Sequence, residues 1–534
     1  MSNGLTSGLK RFQLKASIAG LFTVFFLYYL PVLNGLKDAF KTRLFLYILN
    51  NPVISHSLKF TVEQATLSVI LSILVGVPAG LVLTGLGYRA SRWIRTILFT
   101  VFMAPSMVVV MGFTSLYGEN GILSSRMHLF SRLGEGFTGI LAAHVFYNAP
   151  LIAIMVYNSV ASIPREYWDL ISSAASLSSR TVWRRVLLPY MAPGIASGSL
   201  LAFIYCFMSF AIPLNLGGPR FSTLEVNIYM YYKILQNDRI AASIALLQYI
   251  ILLSIIAVMI KVSSEAPHAP LTVIAKARTP RSARLLSLSY ITIFLLYLIA
   301  PLVGSLYYSF YNPITGTYTI SYYRHVLSAI YDPRLGIPPI NVLFNSLYYA
   351  FMTVIISLGI STLLSIGWSR INEVLVVSLL AISPITLGLG LLRTIPPQIP
   401  VWIPIILAHT FAGLPLALRS IRLGLERVSR KYIEASFSLG ENLWGTLFRV
   451  AIPISRQSYI IAAAFASAIS LGEFSATLFL RTVKTTTLAV AIYQYRSLRM
   501  FGEAYAASGV LLLLTLITIY IITRLEGVNS SESR

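Results

Sequence analysis

The chain has 534 residues, of which 56% are hydrophobic and 11% charged, with a formal net charge of +23. Soluble domains carry about 25% charged residues, so this composition excludes an ordinary soluble enzyme and describes a polytopic membrane protein. The basic excess lies in short segments between apolar runs, where Lys and Arg set topology. It does not form a solvated basic face with interleaved aromatics, which excludes nucleic acid as a partner.

Lys10, Arg11 and Lys15 precede an apolar run too long for a typical signal-peptide core, with no small-residue cleavage site, so the first span is expected to be uncleaved. A helical span needs about 20 apolar residues. Twelve candidates follow in chain order: Ser17–Leu36, Val62–Thr84, Thr96–Leu116, Phe137–Val160, Pro193–Leu214 and Ala241–Ile260, then Leu286–Tyr308, Val342–Trp368, Val374–Leu392, Val401–Arg422, Tyr459–Leu480 and Ala504–Ile522. The fold class is therefore all-α and polytopic, with about twelve membrane helices in two six-helix halves. Residues 1–262 form the first half and 286–534 the second. The polar, Pro- and Ala-rich stretch 263–285 reads as a cytoplasmic linker. A modest Lys/Arg excess on the termini's side places both termini in the cytoplasm of a multi-pass protein of the cell membrane.

Singular residues repeat between the halves. His144 and Pro150 in HVFYNAPL match His409 and Pro415 in HTFAGLPL at a spacing of 265. Tyr167 and Asp169 match Tyr432 and Glu434 at the same spacing, and Arg185, Val186 and Pro189 match Arg449, Val450 and Pro453 at 264. An internal duplication with both halves in parallel orientation explains this order.

The loops at about 161–190 and 423–456 are longer than the 2–8 residues or so that antiparallel helices need, so they are expected to have structure of their own. Ser429 is placed to cap a short helix, Ile433 and Phe437 share one face of it, and Gly440 is placed to stop it in a left-handed conformation. In the first half, Pro164 suits a first helical turn. Physics alone leaves two readings open: a stiffened loop in the headgroup layer, or a helix that docks on a cytosolic partner.

The run EASFSLG followed by IP resembles the cytoplasmic EAA loop of type I ABC importer permeases. Glu434, Ala435, Gly440 and Pro453 fit that pattern, with Tyr432 just before it, while Ser436 stands where a second alanine would be. The first-half copy has Tyr167, Asp169, Ala174, Ala175 and Pro189, with Asp169 for the glutamate, Ser176 in the glycine slot and one residue inserted. Within the superfamily the two-half layout is similar to the fused permeases of ferric iron and thiamine importers. The resemblance implies a permease that passes a small solute. It implies as partners two copies of a cytosolic ABC ATPase, an extracytoplasmic solute-binding protein and membrane lipid.

No lysine follows a glycine anywhere, so there is no Walker A sequence and the chain is not expected to be the ATPase. No catalytic constellation, metal-ligand pattern or cofactor motif stands out. His144 and His409 read as packing and hydrogen-bonding positions. Glu473, an acid within a predicted span, and Ser209, its counterpart at a spacing of 264, are the pore candidates. A competing reading of Glu473 is a near-interface residue paired to Arg481. The rival function is a proton-coupled secondary transporter of the major facilitator type, but the basic loop GLGYRASRW lacks the acid that such a protein would carry there.

Overall fold

The computed structural model describes residues 2–40, 50–86, 88–119, 121–125, 133–164, 166–169, 179–264, 281–312 and 315–529. Ala174 and Ala175, and most of the predicted linker, lie outside these. The described chain is helical apart from a hairpin of two short antiparallel strands, β1 (Tyr311–Asn312) and β2 (Thr317–Tyr318).

The first half contains α1 (Gln13–Ala39), α2 (Pro52–Gly85), α3 (Arg89–Phe102), α4 (Ser106–Tyr117), α5 (Gly136–Ala161), α6 (Arg180–Phe207), α7 (Leu224–Tyr229) and α8 (Asp238–Lys261). The second contains α9 (Arg284–Phe310), α10 (Pro339–Ile366), α11 (Ile371–Ala381), α12 (Pro384–Thr394), α13 (Trp402–Glu426), α14 (Arg430–Ser438), α15 (Leu443–Ile454), α16 (Arg456–Gly472), α17 (Ser475–Leu480), α18 (Leu488–Ser497) and α19 (Phe501–Ile522).

Nine of the described helices are long and apolar enough to cross a membrane, and two bent pairs raise the total to as many as eleven, against the twelve expected. The shortfall falls on the eleventh predicted span, whose helix α16 stops after 17 residues, at Gly472. The third and ninth predicted spans are not straight rods. α3 meets α4 at 98° and α11 meets α12 at 99°. Pro105 and Pro384 stand at these corners, where the missing backbone donor interrupts one helix and the fixed φ suits the start of the next. Tyr147 donates its hydroxyl to the Ala104 carbonyl freed at the first corner, 2.9 Å away. Ser383 caps the second, accepting from the Thr386 amide at 3.1 Å.

Each half is built on three helices. α2, α5 and α6 pack on one another in the first, and α10, α13 and α16 in the second. α5 and α13 are central: 72% and 61% of their most apolar stretches are buried, against 22% in α6.

The first helix of each half crosses to the other. α1 lies along α10, α11 and α12, and on α11 Ser17 donates to Asn372 at 3.0 Å and Tyr29 to the Leu375 carbonyl at 2.7 Å. Gly35 and Gly390 allow the backbones to touch, since a Cβ on Gly35 would sit 2.9 Å from the Gly390 Cα. Arg393 locks this corner through Asp38 at 3.0 Å and the Gly35 carbonyl at 2.9 Å. Reciprocally, α9 lies against α4, where a Cβ on Gly112 would meet the Pro301 carbonyl at 2.5 Å. Small residues at such contacts are what membrane helices use to gain packing, since lipid supplies no hydrophobic drive between them.

Three helices widen to a π turn two residues before a proline: Phe25–Tyr29 before Pro31, Trp183–Leu187 before Pro189 and Leu447–Ala451 before Pro453. The proline ring clashes with the carbonyl four residues back, and one wider turn relieves it. Two of these turns open the fifth span of each half, so the local sequence there has been duplicated as geometry.

Candidate functional site

Two places collect unusual chemistry. The first is the segment 429–454. Ser429 occupies the position before α14, but its side chain makes no capping bond, contrary to expectation. Arg430 donates to Glu434 at 2.8 Å, one turn along the same helix. Both side chains are more than half exposed, so that pair contributes at most about 1 kcal/mol to folding.

The end of α14 follows the sequence closely. Gly440 has φ +86°, the Glu441 amide donates to the Ser436 carbonyl at 3.2 Å, and the Gly440 amide donates to Phe437 at 3.0 Å. These two bonds make a Schellman stop, which needs a left-handed residue at that place. Asn442 then caps α15, accepting from the Gly445 amide at 2.7 Å. Ser436 and Thr446, both buried, share a hydrogen bond of 2.9 Å that clamps the two short helices. Arg449 reaches back to Glu441 at 2.6 Å. Ser436 is thus no blurred alanine: it is the rivet of the turn.

The rigid unit exposes large apolar groups. Tyr432, Leu439, Trp444 and Phe448 are all more than half exposed, and the Trp444 and Phe448 rings stack at 6.2 Å. Ala435 and Pro453 are exposed beside them. In the first half, Tyr167 and Asp169 are exposed, and the Tyr167 ring stands edge-on to Tyr190 at 5.8 Å. Pro189 is exposed at the start of the next span.

The second place is the seam between the halves, at the ends of α6 and α16 remote from 429–454. Glu473 ends α16, and its carboxylate accepts from the Ala476 and Thr477 amides, each at 3.0 Å. It therefore caps α17, where a negative charge is favoured by the helix dipole. Among the described residues no ion pair joins it to Arg481, so the expected pairing is corrected. Arg481 donates to Thr486 at 3.2 Å instead. Glu473 lies 3.9 Å from His409, whose ring bonds Ser470 and Thr477, each at 2.7 Å. His144 bonds Ser68 at 3.1 Å, and its other ring nitrogen is buried without a partner. The duplicated histidines thus keep their places but not their surroundings.

Ser209 lies just past the end of the equivalent helix of the first half, its amide donating to the Cys206 carbonyl at 3.2 Å. The residues following these two, Phe210 and Phe474, are buried and stack on each other across the seam at 5.8 Å and 25°. Each carries a tyrosine edge-on: Tyr229 on Phe210 at 5.4 Å and 60°, Tyr493 on Phe474 at 5.6 Å and 61°. Aromatic pairs of this kind are worth about 0.5–1.5 kcal/mol each beyond their buried area.

Residues 72–264 match the family described as binding-protein-dependent transport system inner membrane component. The thiamine transport system permease protein ThiP of Haemophilus influenzae is 26% identical over 477 residues, covering 86% of this chain and 87% of its own length. ThiP of Escherichia coli is 26% identical over 506 residues, 89% of each chain. The molybdenum transport system permease protein ModB of Mycobacterium bovis is 26% identical over 187 residues, 34% of this chain and 70% of that protein. Together these likenesses support a type I ABC importer permease in the fused two-domain form.

In this permease, sequence reasoning found the turn at Gly440 and the acid at Glu473. It missed the four rings. Phe210 and Phe474 are 264 apart, as are Tyr229 and Tyr493, the very spacing that relates Ser209 to Glu473. Extending that register by one residue, and then by twenty, would have found them.

Proposed function

We propose that the permease passes a small solute received from an extracytoplasmic binding protein, driven by two copies of a cytosolic ATPase that dock on residues 423–456 and on the first-half counterpart at 161–190. The names of the relatives make thiamine the first solute to try. The observation that carries this reading is the riveted helix–turn–helix at 430–454 with Tyr432, Leu439, Trp444 and Phe448 outward. A monomeric protein has no use for a rigid apolar knob on a polar loop, whereas a partner's groove does. On this reading both termini and the segment 263–285 share the ATPase side of the membrane, and residues 1–262 and 286–534 are the two halves.

The test is co-purification of the ATPase with variants of the full chain. Glu434→Ala should leave the permease folded, because the Arg430 pair is exposed, yet weaken ATPase association about tenfold, the loss of one charge-assisted contact of about 1.5 kcal/mol. Asp169→Ala should weaken it less, since the first-half copy departs further from the pattern. Wild-type association with both Glu434→Ala and Trp444→Ala would return the segment to a stiffened loop at the lipid surface.

Splitting the chain near Ala275 provides a second check. The two fragments, expressed together, should co-purify and transport, because α1 and α9 each cross to the other half. The first fragment alone should be degraded, since the glycine face of α1 has lost the backbone it packs on. Recovery of a stable, monodisperse first fragment would contradict this.

A further inference from the structure

Four rings occupy the seam, two from each half, and they repeat one another's geometry to within a few tenths of an ångström and one degree. Phe210 and Phe474 follow the last residues of α6 and α16, the helices that begin next to the two duplicated loops. Each phenylalanine is thus fixed to a lever whose other end lies at the proposed ATPase side. Tyr229 and Tyr493 follow on the returning segments, behind α6 and α16. Further out, the Tyr232 ring of the first half stacks on Phe479 of the second at 4.9 Å, and the Lys233 ammonium sits 5.3 Å from that ring.

We propose that Phe210, Tyr229, Phe474 and Tyr493 form the seal of the solute passage, which runs along the seam and opens when Phe210 and Phe474 part. This rests on the permease reading and adds to it the residues that close the path. Three properties support it. The contact is between halves, so any rocking of one half against the other breaks it. The Phe210–Phe474 contact is apolar and buried, so it excludes water and ions while closed; narrow hydrophobic constrictions close pores by dewetting. It is held by stacking alone, with no ion pair or hydrogen bond between Phe210 and Phe474 to be undone.

The polar ends beside the seal fit the same role. The Glu473 carboxylate is bound to the first amides of α17, and the Ser209 backbone amide to the carbonyl of Cys206. They hold the phenylalanines at fixed places on the two helix ends. Arg481, on the second half, donates to Thr486 at 3.2 Å.

The experiment uses the full chain in planar bilayers, with potassium chloride as the probe, so neither partner protein nor solute is needed. Wild-type protein should hold the membrane tight. Phe210→Ala with Phe474→Ala should give a steady ion conductance. Phe210→Leu with Phe474→Leu, which keeps most of the bulk, should give a smaller one. The control is Phe60→Ala with Phe221→Ala, which removes another aromatic contact at 5.5 Å lying wholly within the first half; it should stay tight. Each variant is first shown to elute as a single species, and the leucine pair serves if the alanine pair does not. Tight membranes from both seam variants, or equal leak from the control pair, would overturn the seal. A tight seam variant that still binds the ATPase would leave the permease reading standing and remove only the seal.

Discussion

Gly390→Ala should lower the melting temperature of the purified permease, while Gly359→Ala should leave it unchanged or raise it. Both glycines lie in helices of the second half, so both alanines gain about 0.5–1 kcal/mol of helix preference. They differ in what the new methyl group meets. At Gly359 none of the described residues lies within 4 Å of the added methyl. At Gly390 the methyl drives into the Pro31 carbonyl of α1, a backbone group that cannot swing aside. Overpacking of this sort typically costs 1–3 kcal/mol, roughly, and here α1 must lift off α12 to relieve it. The bonds of Arg393 to Asp38 and to the Gly35 carbonyl would stretch with it. Fluorescence-monitored melting in detergent compares the two variants directly. Equal melting temperatures would mean that the crossing of α1 contributes nothing to assembly.

Gly440→Val should abolish solute-stimulated ATP hydrolysis in the assembled transporter, and Gly440→Asn should largely preserve it. With φ at +86° and none of the described residues within 4 Å of an added Cβ, the position is demanding in backbone and undemanding in space. A β-branched residue held there costs on the order of 1–3 kcal/mol, as much as the two bonds of the Schellman stop contribute. The turn would re-form with negative φ, tearing Ser436 from Thr446 and re-aiming Trp444 and Phe448. Asparagine tolerates the left-handed region, so it separates the turn's geometry from the loss of glycine itself. The permease's own melting should barely move, because the segment stands outside the helical core. Wild-type hydrolysis with Gly440→Val would show that coupling does not depend on this turn.

Much of this architecture can be read directly from the residues. Long apolar runs give most spans, and the repeat of His144, Pro150 and Tyr167 at His409, Pro415 and Tyr432 gives two halves. Gly440 three residues past an amphipathic pair gives the helix stop. What fails to show is whatever depends on partners distant in sequence. Hydropathy cannot tell a straight span from one with a right-angled corner at Pro105 or Pro384, since both are equally apolar. Nor can it show which half a first helix joins, because Gly35 declares a close approach without naming Gly390. Glu473 was legible as an intramembrane acid but not as a helix cap: the choice between Arg481 and two backbone amides is decided by where α16 happens to stop. The 264-residue register pairs Phe210 with Phe474 in the sequence, but only the seam shows that the two rings touch.

The crossing of the first helices also sets a timetable for synthesis. Ser17 and its partner Asn372 are 355 residues apart in the chain. At ribosomal rates of about 5–20 residues per second, α1 is in the bilayer for roughly 20–70 s before the surface it belongs to has been made. Throughout that interval Ser17, Tyr29 and Asn34 face lipid with their eventual partners still untranslated. A nascent chain in that condition needs a keeper: an insertase or membrane chaperone that shields a polar, glycine-lined helix until residue 394 has emerged. Slowing translation between the two halves should therefore lengthen the vulnerable interval and increase proteolysis of the N-terminal half, even though the finished protein would be identical.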